Sequence, residues 1–94
     1  IVLKLWLASH LSIMMSYVYI LRSKSFPKQL YKGVTNDLKD RLECHGRGEI
    51  KSTSRYIPWE LVFYCAFPSR KLAVDFEQYL KSGSGRAFIN RHLL

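Results

Sequence analysis

Five residues of this sequence carry side chains that could act together on a phosphodiester: Tyr19, Tyr31, Arg41, His45 and Glu77. A phenol or an imidazole can accept the proton of an attacking water, and a guanidinium can hold a phosphate through two parallel hydrogen bonds. A single carboxylate can bind Mg²⁺, which commonly takes one or two carboxylates and keeps several waters. These residue types predict metal-assisted phosphodiester cleavage, provided that the fold brings them together.

Each of these residues also has an ordinary structural interpretation, which the sequence leaves open. Tyrosines in strands commonly pack as amphipathic residues. Arg41 is spaced to pair with Asp37 one helical turn earlier, and His45 near a helix end can complement the helix dipole. Glu77 can be a solvated helix residue, as most glutamates are.

The first half of the chain predicts a hairpin followed by a helix. Residues 17–21 and 30–35 are rich in aromatic and β-branched side chains, which favour strands. Side chains alternate along a strand, so the predicted strands place Tyr19 and Tyr31 on faces that can adjoin. Asn36 is expected to cap the following helix, which the glycines at 46 and 48 end.

The second half predicts one more strand and at least one helix. Residues 59–67 read as a third strand, and Ser69 is expected to cap a helix after it. The apolar residues of that helix recur every four positions: Leu72, Phe76 and Leu80. A last helical turn is expected over residues 86–92. The order β-β-α-β-α(-α) predicts an α+β domain, a small antiparallel three-stranded sheet flanked by helices.

The composition predicts contact with a polyanion. The 94 residues include 15 Lys and Arg against 7 Asp and Glu, a net charge of +8, and each phosphate neutralised by such a protein releases a counterion. The expected partner is DNA, and RNA is also compatible with this charge. The charges are scattered and do not line one amphipathic helix, so no membrane partner is expected. The alternative is that the charge serves solubility alone.

Four basic residues are candidate phosphate contacts: Lys32, Arg47, Lys51 and Arg55. Their alternative role is to form a solvated basic surface. The two cysteines, Cys44 and Cys65, form no CxxC motif, which is typical of a reduced, cytoplasmic protein.

Residues 1–15 form an apolar stretch with no initiating Met at its start. The stretch is interrupted by Lys4 and His10 and is too short for a comfortable membrane span. We expect residues 1–15 to be an extension of doubtful relevance and residues 16–94 to form the domain; a loosely docked N-terminal helix is the alternative.

The order and spacing of the candidate residues resemble the catalytic core of the GIY-YIG endonuclease family, and in particular its small stand-alone bacterial members, from residue 16 to about residue 88. The matching positions are Tyr19 in the first motif, Tyr31 and Gly33 in the second, Asn36 and Arg41 at the helix, His45 one turn later, and the metal glutamate Glu77. Three positions depart from the family pattern or match it poorly: Tyr17, Lys32 and Asn90.

The resemblance implies a DNA endonuclease that uses one Mg²⁺ or Mn²⁺ held by Glu77, with DNA repair as an expected setting. It implies that Tyr19 or Tyr31 takes the proton of the attacking water, with Tyr19 preferred, and that His45 relays this proton or tunes the tyrosine. A chain this small has no room for a separate sequence-reading domain, so selectivity is expected from DNA shape or from a protein partner. The rival hypothesis is a non-catalytic nucleic-acid-binding module on the same scaffold.

Overall fold

Three antiparallel strands form the sheet that carries both tyrosines: β1 (Ser16–Ser23), β2 (Leu30–Thr35) and β3 (Trp59–Phe67). The computed structural model describes residues 14–94, so the expected extension over residues 1–15 lies almost wholly outside the described residues. The strand order is β2-β1-β3, which puts the Tyr19 strand in the centre. The register between β1 and β3 shifts at Ile20 and Leu21.

Three helices complete the fold of residues 14–94: α1 (Leu38–Gly46), α2 (Arg70–Lys81) and α3 (Gly83–His92), with a 3-10 turn over Ser54–Tyr56 before β3. The predicted α+β class and element order are confirmed. Helix α3 is longer than the expected turn over residues 86–92, because the Ser82 side chain accepts a hydrogen bond from the Gly85 amide at 3.1 Å and starts the helix early. Within residues 14–94, none of the helices is both long and apolar enough to cross a membrane.

Helix α1 begins one residue later than predicted. The cap is Asp37, whose Oδ1 accepts a hydrogen bond from the Asp40 amide at 3.0 Å, so the expected cap at Asn36 is wrong. The Asn36 side chain is used elsewhere: its Oδ1 accepts hydrogen bonds from Ser16 Oγ at 3.1 Å and from Arg70 at 3.2 Å. Asn36 therefore links the start of β1 to the start of α2.

One face of the sheet packs against α2 and α3 and forms the core. Its fully buried side chains are Val18, Ile20, Ala73, Leu80 and Ile89. The predicted apolar row of α2 is partly wrong, because Leu72 is 50% exposed while Ala73 and Glu77 are buried. Leu80 of the expected row is fully buried and Phe76 is partly buried, so the inward face of the helix includes Ala73 and Glu77 and leaves out Leu72.

The opposite face of the sheet carries Tyr19 and Leu21, which are also fully buried. Here the sheet contacts α1 and the loop that follows it, through polar and aromatic side chains. The two tyrosine strands thus meet a different environment on each face, and the two tyrosines of the candidate site lie on the polar one.

Candidate active site

The ring of Tyr19 lies directly over Gly33, its cross-strand partner in the β1–β2 register. A Cβ atom at Gly33 would stand 2.6 Å from both Cζ and the hydroxyl oxygen of Tyr19, closer than packed atoms can approach. Glycine is therefore required at this position for the tyrosine to lie flat over the neighbouring strand. This is a physical reason for the Tyr-x-Gly spacing of β2.

A chain of hydrogen bonds runs from Tyr19 into the protein. The Tyr19 hydroxyl lies 2.7 Å from His45 Nε2, and His45 Nδ1 lies 2.8 Å from the Thr53 hydroxyl. The Thr53 hydroxyl in turn donates to the Ile50 carbonyl at 3.3 Å. All three side chains are at most 1% exposed, so each hydrogen bond is shielded from water.

This chain of hydrogen bonds determines which atoms of Tyr19, His45 and Thr53 carry the protons. Because the single hydroxyl proton of Thr53 is given to a carbonyl, Nδ1 of His45 must donate to Thr53, and Nε2 then accepts from Tyr19. Burial, and then the charge of Arg41, lower the pKa of His45 to about 4. At neutral pH His45 is an uncharged acceptor held in one tautomer.

Tyr31 completes an aromatic cluster on the same face. Its ring centroid lies 5.0 Å from that of His45 and 6.2 Å from that of Tyr19, and the His45 ring meets both tyrosines at a steep angle. Tyr31 is only partly buried, whereas Tyr19 is fully buried. The two tyrosines therefore differ in their access to solvent.

Arg41 is placed beside this cluster, one helical turn before His45. Burial above all raises the pKa of Tyr19 to about 12, and the Arg41 charge opposes this rise. The pKa of Arg41 is raised in return, chiefly by the Tyr19 oxygen. Arg41 therefore lies close enough to the Tyr19 oxygen to stabilise its ionised form, although no well-aligned hydrogen bond joins these two described side chains. The alternative ion pair between Arg41 and Asp37 is not formed.

Glu77 projects from α2 and is 7% exposed, so it is not a solvated helix residue. Its Oε2 accepts from the Lys81 ammonium at 2.7 Å. The Glu77 charge contributes to raising the pKa of Tyr19, which places the carboxylate within electrostatic range of the aromatic cluster. Within residues 14–94, no group of three or more His, Cys, Asp or Glu side chains converges as a metal cluster.

Positive charge accompanies this carboxylate. Burial lowers the pKa of Lys32, and the charges of Arg86 and Lys81 lower it further, while Glu77 raises it. Lys32 therefore belongs to the Glu77 side of the site, away from the ring of Tyr31 as its position on β2 predicts. Arg86 was not among the candidate residues, because nothing in its local sequence indicates that α3 brings Arg86 near Lys32.

The other basic candidates lie in the loop after α1. Arg47 donates to both carboxylate oxygens of Glu49 at 2.6 and 3.2 Å, which partly neutralises its charge. The guanidinium of Arg55 lies 5.6 Å from the centre of the Tyr56 ring. Lys51 and Arg55 are exposed and available to a ligand.

Thr53 is a second site residue, besides Arg86, that sequence reasoning missed. It lies in an irregular loop, eight positions after His45, where no periodic pattern indicates which side chain turns inward. Trp59 holds the loop in place, because its indole donates to the Thr53 carbonyl at 3.0 Å. The loop predicted as basic surface thus also supplies the end of the buried hydrogen-bond chain.

Comparison with known proteins places these features in a family. A family model described as the GIY-YIG catalytic domain matches residues 15–90. UPF0213 proteins of Streptococcus pyogenes serotype M5 (strain Manfredo) and serotype M1 are each 36% identical over 73 residues, which is 77% of this chain and 77% of theirs. The solution NMR structure of a UPF0213 protein from Bacillus halodurans is 33% identical, with a TM-score of 0.51 over 83% of this chain and 84% of that one.

Proposed function

This chain belongs to the GIY-YIG catalytic-domain family, whose activity is of endonuclease type, and on that basis we propose that it hydrolyses phosphodiester bonds in DNA with the help of one divalent metal ion. The observation that carries the proposal is the buried chain from Tyr19 through His45 to Thr53 beside Arg41. A module that only bound DNA would gain nothing from burying a hydroxyl and an imidazole in fixed orientations.

Arg41 is the proposed phosphate ligand. Its planar guanidinium presents several N–H groups that match two phosphate oxygens. Because it has no carboxylate partner among the described residues, its charge is free to act on a substrate. In the absence of DNA the same charge acts on Tyr19.

Tyr31 is the better-placed candidate for activating the water. The hydroxyl of Tyr19 is fully buried, and its proton stays on the oxygen because the Tyr19 pKa is about 12 while that of His45 is about 4. These facts weigh against the preference for Tyr19 that the sequence suggested. We assign Tyr19, His45 and Thr53 to positioning: they fix the ring against which Tyr31 and the substrate are held.

Glu77 is the proposed metal ligand. Its nearly buried carboxylate already binds a cation, the Lys81 ammonium, and one carboxylate suits Mg²⁺ or Mn²⁺, which complete their coordination with water and phosphate oxygens. When bound, such an ion would neutralise charge that develops on the phosphate and the leaving oxygen. Glu77 itself would orient and anchor it from a rigid helix.

The substrate contacts proposed for the surface are to the phosphate backbone. Lys32 lies beside Glu77, and Lys51 and Arg55 extend from the loop after α1. Backbone contacts carry no base information, so we propose selection by DNA structure or by a protein partner that delivers the enzyme.

A panel of single-stranded, duplex, flapped and four-way DNAs, incubated with and without Mg²⁺, tests the proposal. We expect metal-dependent cleavage that falls by orders of magnitude in Glu77→Gln, while DNA binding is kept or strengthened because a negative charge is removed. The exposed Asp75→Asn on the same helix is the matched control and should cut at the parent rate. Cleavage that Glu77→Gln leaves unchanged would remove Glu77 from the mechanism.

A further inference from the structure

Helix α2 carries two ion pairs of the same spacing and very different environments. Lys71 and Asp75 are 2.8 Å apart, with side chains 83% and 59% exposed. Lys81 and Glu77 are 2.7 Å apart, but the Glu77 side chain is only 9% exposed while that of Lys81 is 51% exposed. An exposed pair contributes little to stability, whereas a carboxylate as buried as Glu77 needs a cation beside it.

The ammonium of Lys81 therefore occupies Oε2, one of the two carboxylate oxygens that a metal ion could bind. Lys81 is paired with Glu77, and Lys32, whose pKa responds to Lys81, Arg86 and Glu77, adds positive charge to the same region, so cations outnumber the one carboxylate there. A divalent ion entering this group is repelled unless one cation moves away or an anion enters with it. The mobile cation is Lys81, because its long stem and half-exposed end allow the ammonium to swing into solvent.

We propose that Lys81 holds the Glu77 carboxylate until a divalent ion displaces it, and that the freed ammonium then contacts the phosphate of the nucleic acid. The inference rests on the proposed role of Glu77 as metal ligand. The exchange forms and breaks no covalent bond: Oε2 of Glu77 passes from one cation to another, and the surplus positive charge is matched by the phosphate. Metal and DNA would then bind with positive cooperativity, since each supplies the charge that the other needs.

Calorimetric titration of the DNA-free protein with Mn²⁺ tests the exchange. Lys81→Met keeps most of the stem and removes the competing charge, so we expect Mn²⁺ affinity to rise on the order of tenfold. Lys71→Met removes a lysine of the same spacing from the exposed pair and should change the affinity by less than about twofold. Glu77→Gln should abolish the binding.

The outcomes separate this inference from the proposed function. If Glu77→Gln abolishes Mn²⁺ binding and Lys81→Met leaves the affinity at the parent value, the exchange is refuted and Glu77 remains a metal ligand. If Glu77→Gln binds Mn²⁺ like the parent, the metal role of Glu77 fails, and the exchange fails with it.

A second measurement uses the parent protein and so does not depend on the folding of Lys81→Met. With ¹³C-labelled lysine, the NMR signal of the Lys81 ε-methylene should move as Mg²⁺ is added, because its ammonium leaves the carboxylate. The signal of Lys71 provides the internal control and should stay in place. A Lys81 signal that stays fixed while Mg²⁺ saturates the protein would overturn the proposal.

Discussion

The two faces of the sheet bury side chains of different kinds, apolar ones on one face and hydrogen-bonded polar ones on the other. On the helix-packed face, Val18 and Ile20 are fully buried among apolar neighbours, and their stabilising effect depends on area and fit. On the other face Tyr19 is equally buried, but its hydroxyl must keep His45 as a partner, and His45 must keep Thr53. A buried polar group left without a partner costs free energy.

This difference predicts which side chains of the sheet can be substituted without loss of function. Substitutions of the apolar core side chains Val18, Ile20 and Leu80 should lower stability and leave the rate of the folded enzyme unchanged. Substitutions on the polar face should change the chemistry with smaller losses of stability. The predictions below test that separation, beginning with the largest expected effect.

The largest effect is expected from the two tyrosines. Tyr31→Phe keeps the ring and deletes the hydroxyl, and if this hydroxyl activates the water, the single-turnover cleavage rate should fall by about 10²–10⁴. Tyr19→Phe should cost less, through loss of positioning alone. Tyr56→Phe is the control, because the Tyr56 ring packs against Phe26 and Trp59 and not against Tyr19 or Tyr31. The reverse ranking of Tyr19 and Tyr31 would restore Tyr19 as the base.

On the apolar face, Leu80→Ala should lower the free energy of unfolding by about 2–5 kcal/mol, because it leaves a cavity among fully buried neighbours. Leu72→Ala on the same helix removes the same atoms from a side chain that is 50% exposed, and the loss should be far smaller. Urea denaturation measures both. Equal losses for the two variants would contradict the exposed position of Leu72 on α2.

Thr53→Val tests the last side chain of the buried hydrogen-bond chain that begins at Tyr19. Valine has a similar shape but cannot accept a hydrogen bond from His45 Nδ1. The buried N–H therefore loses its partner, at a cost of about 1–3 kcal/mol. Thr53→Ser keeps the acceptor and should retain most of the stability. Cleavage should fall more in Thr53→Val than in Thr53→Ser, since the valine variant no longer fixes the tautomer of His45. Equal stability of the two variants would mean that Thr53 contributes only its shape.

The pH dependence of stability follows from the lowered pKa of His45. The unfolded histidine takes up a proton near its ordinary pKa of 6.5, while the folded one does so only at about 4. Stability is therefore complete above pH 6.5 and is lost as the pH falls towards 4, because the unfolded state binds more protons there. Melting temperatures of the parent and of His45→Gln across this range provide the measurement. An equal slope in both proteins would show that His45 does not cause the loss.

Much of the fold could be predicted because local patterns carry it. The β-branched and aromatic runs locate the three strands, Ser69 caps α2 as expected, and the element order follows. The cap of α1 was misplaced because Asn36 and Asp37 are both good caps, and only tertiary contacts with Ser16 and Arg70 decide between them.

The site was predictable where residue types are distinctive and unpredictable where loops decide. Tyr19 and Tyr31 come into contact, in agreement with their expected faces, and His45 joins them. The inward turn of Thr53 and the return of α3 towards Lys32 depend on packing between segments far apart in sequence. No periodicity within either segment encodes these contacts.

The smallest effect is expected on the outer rim of the polar face, where two exposed cations in one loop can be compared. Lys51→Ala should lower the magnitude of the log–log salt slope of duplex DNA binding by about 0.9, the value for one phosphate contact. Arg47→Ala should lower it by less, because Arg47 already donates to Glu49 through two hydrogen bonds and must give them up to reach a phosphate. Fluorescence anisotropy at several salt concentrations measures both slopes. In the Glu49→Gln background the Arg47 charge is released, so Arg47→Ala should there approach the effect of Lys51→Ala. An Arg47 effect that is the same in both backgrounds would show that the pairing with Glu49 does not restrain this arginine.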